Sequence, residues 1–409
     1  MRLLINDFAG HPFQVQLSRE LAARGHIVWH TFSDGLHGPK GALGKIASDA
    51  SQLTIRGISV GKFNKYSVIQ RFLCHRRYAA ALIQNIEATR PEIVLSANTP
   101  IDMQLRLQRY CADHGIRFIH WMQDVYCVAL ESFLRKKAGA FCTPLAWPYF
   151  SMEKAVCRSA DAVISITDDF YKLLCSRGVW FRRHCTIENW APLNELPTGP
   201  RDNAWRRSNT NPQSPLFLYA GTMGLKHKPE LILALARRLA ASGLASVMLV
   251  TEGIGRQYIE RQLLRQTCSG LTMMNYQPYQ SLPEVLSAAD VLIATIDADS
   301  SRFAVPSKVL TYLSIGRPVL LAAPADNLAA RVIREAKAGL VVDPEDTQGF
   351  LDCALLLAAD EQLRARLSAN AREYACRTFD IGRITDRFEK VFEEISRPLN
   401  SRSEVFFAV

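Results

Sequence analysis

Short apolar runs, each the length of a buried strand, alternate along the chain with stretches in which apolar residues recur every three or four positions, as on one face of a helix. Residues 3–6 (LLIN) are the first such run. Residues 13–24 follow as a helix with apolar residues at Val15, Leu17, Leu21 and Ala22, Gly25 ends it, and 26–32 (HIVWHTF) is the next strand. The order repeats with strands at 92–97, 117–122, 160–166 and 185–190, a helix at 101–114, and another opened by Thr167-Asp168-Asp169. After a stretch of Pro, Asn, Ser and charge (PTGPRDNAWRRSNTNPQSP) it starts afresh. Strands are then predicted at 216–220, 247–251, 271–276, 290–296, 319–323 and 339–342. Helices are predicted from 229, over 282–288, 307–315, 327–336 with Asp326 as its cap, 347–359, 361–378 and 383–395. Apolar strands separated by helices imply parallel sheets covered on both faces, so the restart implies two doubly wound α/β domains. A chain of 409 residues suits two such domains of about 200 each.

Composition narrows the class. No apolar run approaches the length of a membrane span, and the N-terminus (MRLLINDFAG) reads as a first strand instead of a signal peptide, so a cytoplasmic protein is expected. Ten cysteines are scattered without a C-x-x-C pair or a Cys/His cluster, which predicts reduced thiols and no metal site. The net charge of +10 is uneven: residues 1–200 hold 24 Lys and Arg against 16 Asp and Glu, and the remainder 25 against 23. That asymmetry predicts an anionic partner for the first half, and no nucleic-acid-binding motif accompanies it. Two stretches there interleave basic and aromatic residues. In 60–85, Lys62, Lys65, Arg71, Arg76 and Arg77 lie among Phe63, Tyr66, Ile69, Phe72, Leu73 and Tyr78. In 132–154, Arg135, Lys136 and Lys137 lie beside Phe133, Phe141, Trp147, Tyr149 and Phe150. The first reads as a helix with a solvated basic face or an interfacial helix; the second, with Gly139, Pro144 and Pro148, reads as a loop-and-helix insertion laid on an anionic membrane or as a poorly ordered surface loop.

Candidate chemistry sits in loops at the C-terminal ends of strands, where open α/β sheets bind ligands. The strand at 290–296 leads through a loop to Pro306-Ser307-Lys308 and a helix. A helix N-terminus carrying a hydroxyl and an ammonium suits a phosphate or diphosphate, and the same residues also read as a well-capped βαβ unit with a surface lysine. Gly221-Thr222-Met223-Gly224-Leu225-Lys226 after the strand at 216–220 has the same strand, glycine loop and helix-start order. Gln123-Asp124 ends the strand at 117–122, and Asp124 is read as a catalytic carboxylate or as a strand-end cap.

PSKVLTYLSIGRPVL resembles the donor-site segment of GT-B glycosyltransferases of family 4, which are retaining and use nucleotide-sugars, and most of all their exopolysaccharide branch of the colanic-acid type. YAGTMGLKHKPEL, ADAVISITDDFYKLL and TIENWAPLNEL resemble further pieces of that family in the same order. The resemblance implies a GT-B fold, two Rossmann-like domains facing across a cleft. Residues 1–195 would form the acceptor-side domain, 196–214 a linker, 215–380 the donor domain, and 381–398 a helix crossing back to the first domain. It implies a catalytic set of Gln123, Asp124 and Lys226, with Gln123 where many members carry histidine. Donor contacts would come from Gly221, Thr222, Lys226, Glu252, Gly253, Tyr276, Gln277, Arg302, Pro306, Ser307, Lys308 and Thr311, and acceptor-side contacts from Gly10, His11 and Asn98.

One departure stands out. The family's two donor-site glutamates, eight positions apart, register on Phe303 and Thr311, leaving Asp297, Asp299 and Arg302 as substitutes. The expected activity is transfer of a sugar from a UDP- or GDP-sugar, with retention and no cofactor, to a polyprenyl-pyrophosphate-linked glycan in exopolysaccharide synthesis. The enzyme would work at the inner face of the cytoplasmic membrane. A GT-B nucleotide-sugar epimerase and a catalytically inactive GT-B scaffold are the alternatives.

Overall fold

The computed structural model describes residues 1–35, 41–61, 68–138, 142–301, 304–397 and 405–406. Among them the chain divides into two compact units, Met1–Asn189 with Ile381–Val409, and Trp190–Asp380.

The first unit is built on strands β1 (Arg2–Asp7), β2 (Ile27–Ser33), β3 (Leu53–Ile58), β4 (Ile93–Ala97), β5 (Arg117–Met122), β6 (Ala162–Ser165) and β7 (Arg183–Thr186). The second holds β8 (Leu216–Ala220), β9 (Ser246–Val250), β10 (Leu271–Met274), β11 (Val291–Thr295), β12 (Val319–Ala322) and β13 (Gly339–Val342); β14 (Val405–Phe406) returns to the first sheet. The sheet orders are β14-β7-β6-β5-β4-β1-β2-β3 and β10-β9-β8-β11-β12-β13, with every pairing parallel. All residues of β4, β6, β8, β11 and β12 are buried, as strands with helices on both faces must be. In each sheet the first strand of the unit is central, and the chain leaves it toward one side and then the other. The crevices at the C-terminal ends of β1/β4 and β8/β11 are therefore the switch points.

The helix Ile381–Ser396 packs on Pro12–Ala23 within the first unit. Ile384, Phe388, Val391, Phe392 and Ile395 are its buried face, each contributing about 2 kcal/mol by leaving water. The Phe388 ring meets Trp121 edge-on at 4.9 Å, and Arg24 joins Asp386 and Glu389 at the rim.

Four sequence readings are corrected. The 132–154 stretch is no loop insertion: helices Tyr126–Ala138 and Cys142–Ser159 pack against each other, with Pro148 inside the second. Their junction is fixed by Glu153, fully buried, whose carboxylate accepts from the Tyr126 and Cys127 N–H groups at 3.2 and 2.7 Å. The 196–214 linker is folded into the second unit, with a helix at Ala204–Asn209. There Arg206, with no exposed surface, pairs with Asp290 at 2.9 Å and reaches the Ser214 carbonyl at 2.7 Å, while Arg201 takes the other Asp290 oxygen. The strand expected over 185–190 ends at Thr186. Asn327, not Asp326, caps Leu328–Ala336, because its Oδ1 accepts from Ala329 N at 3.0 Å. The edge strand β3 escaped the sequence reading, since half of LTIRGI faces water.

Candidate functional site

At the β8/β11 crevice three loops are tied together by main-chain hydrogen bonds. Gly221 N donates to Val250 O at 3.0 Å, Met223 N to Glu252 O at 2.9 Å and Gly255 N to Met223 O at 2.8 Å, joining the loops after β8 and β9. Asp297 N donates to Lys226 O at 2.8 Å, which joins the loop after β8 to the loop after β11. Glycine is required at two points. Gly221 has φ +114 and Gly253 has φ +112, and a Cβ on Gly253 would lie 2.7 Å from Met223 O.

The helix Lys308–Ile315 begins at this crevice. Its Tyr312 hydroxyl lies 3.2 Å from both the amide nitrogen and the carbonyl oxygen of Ala220, pinning the helix start to the end of β8. Ser307 caps the helix without a side-chain hydrogen bond and is exposed. Lys308 is different. Its stem is partly exposed, but Nζ is sealed from solvent and has no hydrogen-bond partner. Nζ lies 3.5 Å from the centroid of the Tyr219 ring, beneath Gly221, where a Cβ would come to 3.6 Å. Burial, with repulsion from Lys226, holds its amine well below the ordinary lysine range. Burial and the same two lysines push His227 far down as well, and its Nδ1 accepts from Gly224 N at 2.9 Å. The crevice thus brings the Lys308 amine and the Lys226 side chain to a helix N-terminus, the arrangement of an anion site.

Around this centre Thr222 and Tyr276 share a hydroxyl–hydroxyl bond, and the exposed Lys226 and Glu252 side chains flank it. Gln277 turns back to the Asn275 carbonyl, and Pro306 is buried beside Ser307. Thr311 is part-buried one turn into the helix, without a carboxylate's charge. Asp297 caps the short helix Ala298–Ser301 through Ser300 N at 2.6 Å, so that carboxylate is already engaged. Arg302 and Phe303 lie outside the described residues. No group of three or more His, Cys, Asp or Glu among the described residues is placed to hold a metal ion.

At the β1/β4 crevice of the first unit, Asp7 is fully buried and accepts from Ala9 N at 3.1 Å, from His11 N and from Asn98 Nδ2 at 3.0 Å. Burial alone would raise its pKa, but His11 outweighs it and the net shift is down. Burial would likewise lower His11, yet Asp7, with a smaller part from Asp124, raises it. Gly10 (φ +76) and Asn98 (φ +51) supply the left-handed turns that close this cluster. Gln123 does not extend a free amide: it forms a reciprocal pair with Asn189, at 3.2 and 2.6 Å.

Three solved structures share this architecture along almost the whole chain. Sucrose-phosphate synthase from Thermosynechococcus elongatus superposes with TM-score 0.74 at 15% identity, covering 97% of this chain and 99% of that one. HepE from Anabaena, in complex with UDP and glucose, gives 0.70 at 13%, covering 96% and 99%. WaaG, a glycosyltransferase involved in lipopolysaccharide biosynthesis, gives 0.68 at 16%, also covering 96% and 99%. The fold is GT-B. Residues 201–374, which contain the whole β8/β11 crevice, match the family model for glycosyl transferases group 1. The chain is a glycosyltransferase. A search of curated proteins returns no match.

Residues that the sequence reading passed over complete this glycosyltransferase's crevices. Tyr219 and Tyr312 are both buried, and their placement around Lys308 and Ala220 gives them a role. A tyrosine two positions before the loop glycine was the available signal, since residues i and i+2 of a strand share a face. Asp7 and Glu153 are buried carboxylates that hold loop N–H groups, and nothing in their local sequence marks them.

Proposed function

We propose that the enzyme transfers a sugar from a UDP- or GDP-sugar to a polyprenyl-pyrophosphate-linked glycan in exopolysaccharide or cell-surface polysaccharide synthesis, as a family 4 transferase acting with retention. The observation that carries the donor reading is the Lys308 amine, buried without a hydrogen-bond partner at the N-terminus of Lys308–Ile315. The bond from the sugar's anomeric carbon to the diphosphate breaks with its electron pair on the phosphate oxygen, while the acceptor hydroxyl's oxygen bonds to that carbon and its proton passes to the departing diphosphate. Lys226, Lys308 and the helix N-terminus are where the new negative charge would be met. HepE, crystallised with UDP-glucose, supports a nucleotide-sugar donor. WaaG's part in lipopolysaccharide biosynthesis supports a cell-surface glycan product.

The membrane-facing part of the proposal rests on the first unit. No helix among its described residues is long and apolar enough to cross a membrane. Phe72, Leu73, Phe133 and Trp147 are nonetheless exposed, and Arg71, Arg76, Arg77 and Arg135 lie in water on the same helices. Aromatic and basic residues together suit the anionic inner face of the cytoplasmic membrane. Lys62, Phe63, Lys65, Tyr66 and Phe141 lie outside the described residues, as do the side chains of Ile69, Lys136 and Lys137.

Incubation with a panel of UDP- and GDP-sugars and a polyprenyl-pyrophosphate-linked glycan tests the function. Release of nucleoside diphosphate together with an extended glycan is expected. A donor converted to its epimer without glycan product, or no turnover at all, would overturn it.

A further inference from the structure

A lysine amine in the crevice with nothing to bond to is a costly arrangement, and its surroundings show how it is kept there. Tyr219 and Gly221 project on the same face of the chain end, one supplying an aromatic surface and the other the absence of a side chain. The Tyr219 ring is itself immobilised: it is fully buried, and its hydroxyl donates to Thr222 O at 3.0 Å. Tyr312, one turn along the helix that bears Lys308, bonds to Ala220 and to Ile293 O at 3.3 Å, so the helix cannot withdraw the amine from the ring. The charged and titratable groups facing Nζ are Lys226 and His227 from the loop after β8 and Tyr219 from β8. None of these is a carboxylate.

We propose that Tyr219 is a positioning residue of the donor site: its ring seats the Lys308 amine beneath Gly221, and an entering nucleoside diphosphate draws a proton from solvent onto that amine. This deepens the donor reading above and rests on it. In the empty site, burial and Lys226 oppose a charge on Nζ. A diphosphate at the helix N-terminus brings two or more negative charges within reach and reverses that balance. Binding and protonation are then linked, and affinity declines as the pH rises above the free-state titration of Lys308. The proton comes from bulk buffer and returns to it when the nucleotide leaves, so no other reactant is involved. Tyr219 acts through Lys308 and touches no substrate itself.

Calorimetric titration of the full chain with UDP and with GDP, at about pH 8 in two buffers of different ionisation enthalpy, counts the protons taken up. The wild type is expected to take up a substantial fraction of one proton, and Lys308→Met to bind more weakly with none. Tyr219→Leu is expected to weaken binding about threefold to thirtyfold, with Tyr219→Phe close to wild type because the ring remains. Lys308→Met keeps the bulk of the side chain and removes a buried amine, so the proton count stands even if Tyr219→Leu folds poorly. Equal heats in both buffers for the wild type would overturn the coupling while leaving the donor site intact. Proton uptake persisting in Lys308→Met would assign it to His227 and overturn the coupling too. Wild-type protein that binds neither nucleotide would overturn the donor reading and this inference with it.

Discussion

The Asp297 N–H donates to the Lys226 carbonyl at 2.8 Å, and Thr295 donates from its hydroxyl to the neighbouring His227 carbonyl. The main chain, not the lysine side chain, therefore joins the two loops at the switch point of the second sheet. Replacing Lys226 by alanine should remove an ammonium and leave the loops in place. A loss of rate on the order of 100-fold is expected, with an unchanged melting temperature. Kinetics and thermal denaturation of the same preparation check this, and near wild-type turnover would exclude Lys226 from the chemistry.

Asp290 is the hub of the segment that was expected to be a linker. It receives Arg206 and Arg201 and also Leu216 N at 2.8 Å. Asp290→Ala would leave the fully buried Arg206 without its counter-charge, a change that costs roughly 3–5 kcal/mol. Denaturant unfolding should show that loss in the midpoint. A shift within error would mean that the segment is not integral to the second unit.

His11 keeps one side toward water, with its side chain 41% exposed, so solvent moderates the pull of Asp7. Its pKa is nevertheless raised from 6.5. The native state then binds more protons than the unfolded chain between the two values. The stabilisation is complete below the unfolded value and fades as the pH rises through the folded one. Asp7 has the opposite sign: its lowered pKa gives stability that is lost on acidification. In His11→Gln the decline of stability above neutral pH should flatten, as followed by urea unfolding at several pH values. An unaltered slope would show that Asp7 does not hold His11 protonated.

Trp147 is 65% exposed and Phe133 53% exposed, on the two helices that replaced the expected insertion. Reversing Arg135, Lys136 and Lys137 to glutamate should release the protein from anionic vesicles, since each basic residue near such a surface contributes about 1 kcal/mol. Arg135 already pairs with Glu131 at 2.9 Å, so it should contribute less than the other two. Flotation at low and high salt checks the effect. Wild-type protein that never floats would remove the membrane from the account.

Much of the fold could be read from local pattern. Strands β5, β8 and β13 and the helices Thr347–Ala359 and Glu361–Thr378 occupy the expected residues, because an apolar run or a 3.6-residue period is a property of neighbouring positions. What escaped depends on distant partners. Pro148 reads as a helix breaker, yet the buried Val156, Cys157 and Glu153 carry the helix through it. PTGPRDNAWRRSNTNPQSP has a linker's composition, and only Asp290, far along the chain, gives Arg206 a reason to be buried. Lys308 was legible as a phosphate-binding candidate, but its seat on Tyr219 joins residues 89 positions apart that no periodicity connects. Gln123 looked available until Asn189 was placed against it.

A structure of the protein with bound UDP or GDP tests the central claim most directly. The account predicts the diphosphate at the N-terminus of Lys308–Ile315, with Lys308 Nζ within hydrogen-bonding distance and the Gly221–Thr222 main chain alongside. A nucleotide seated away from the β8/β11 crevice, with Lys308 still unpaired on Tyr219, would contradict it.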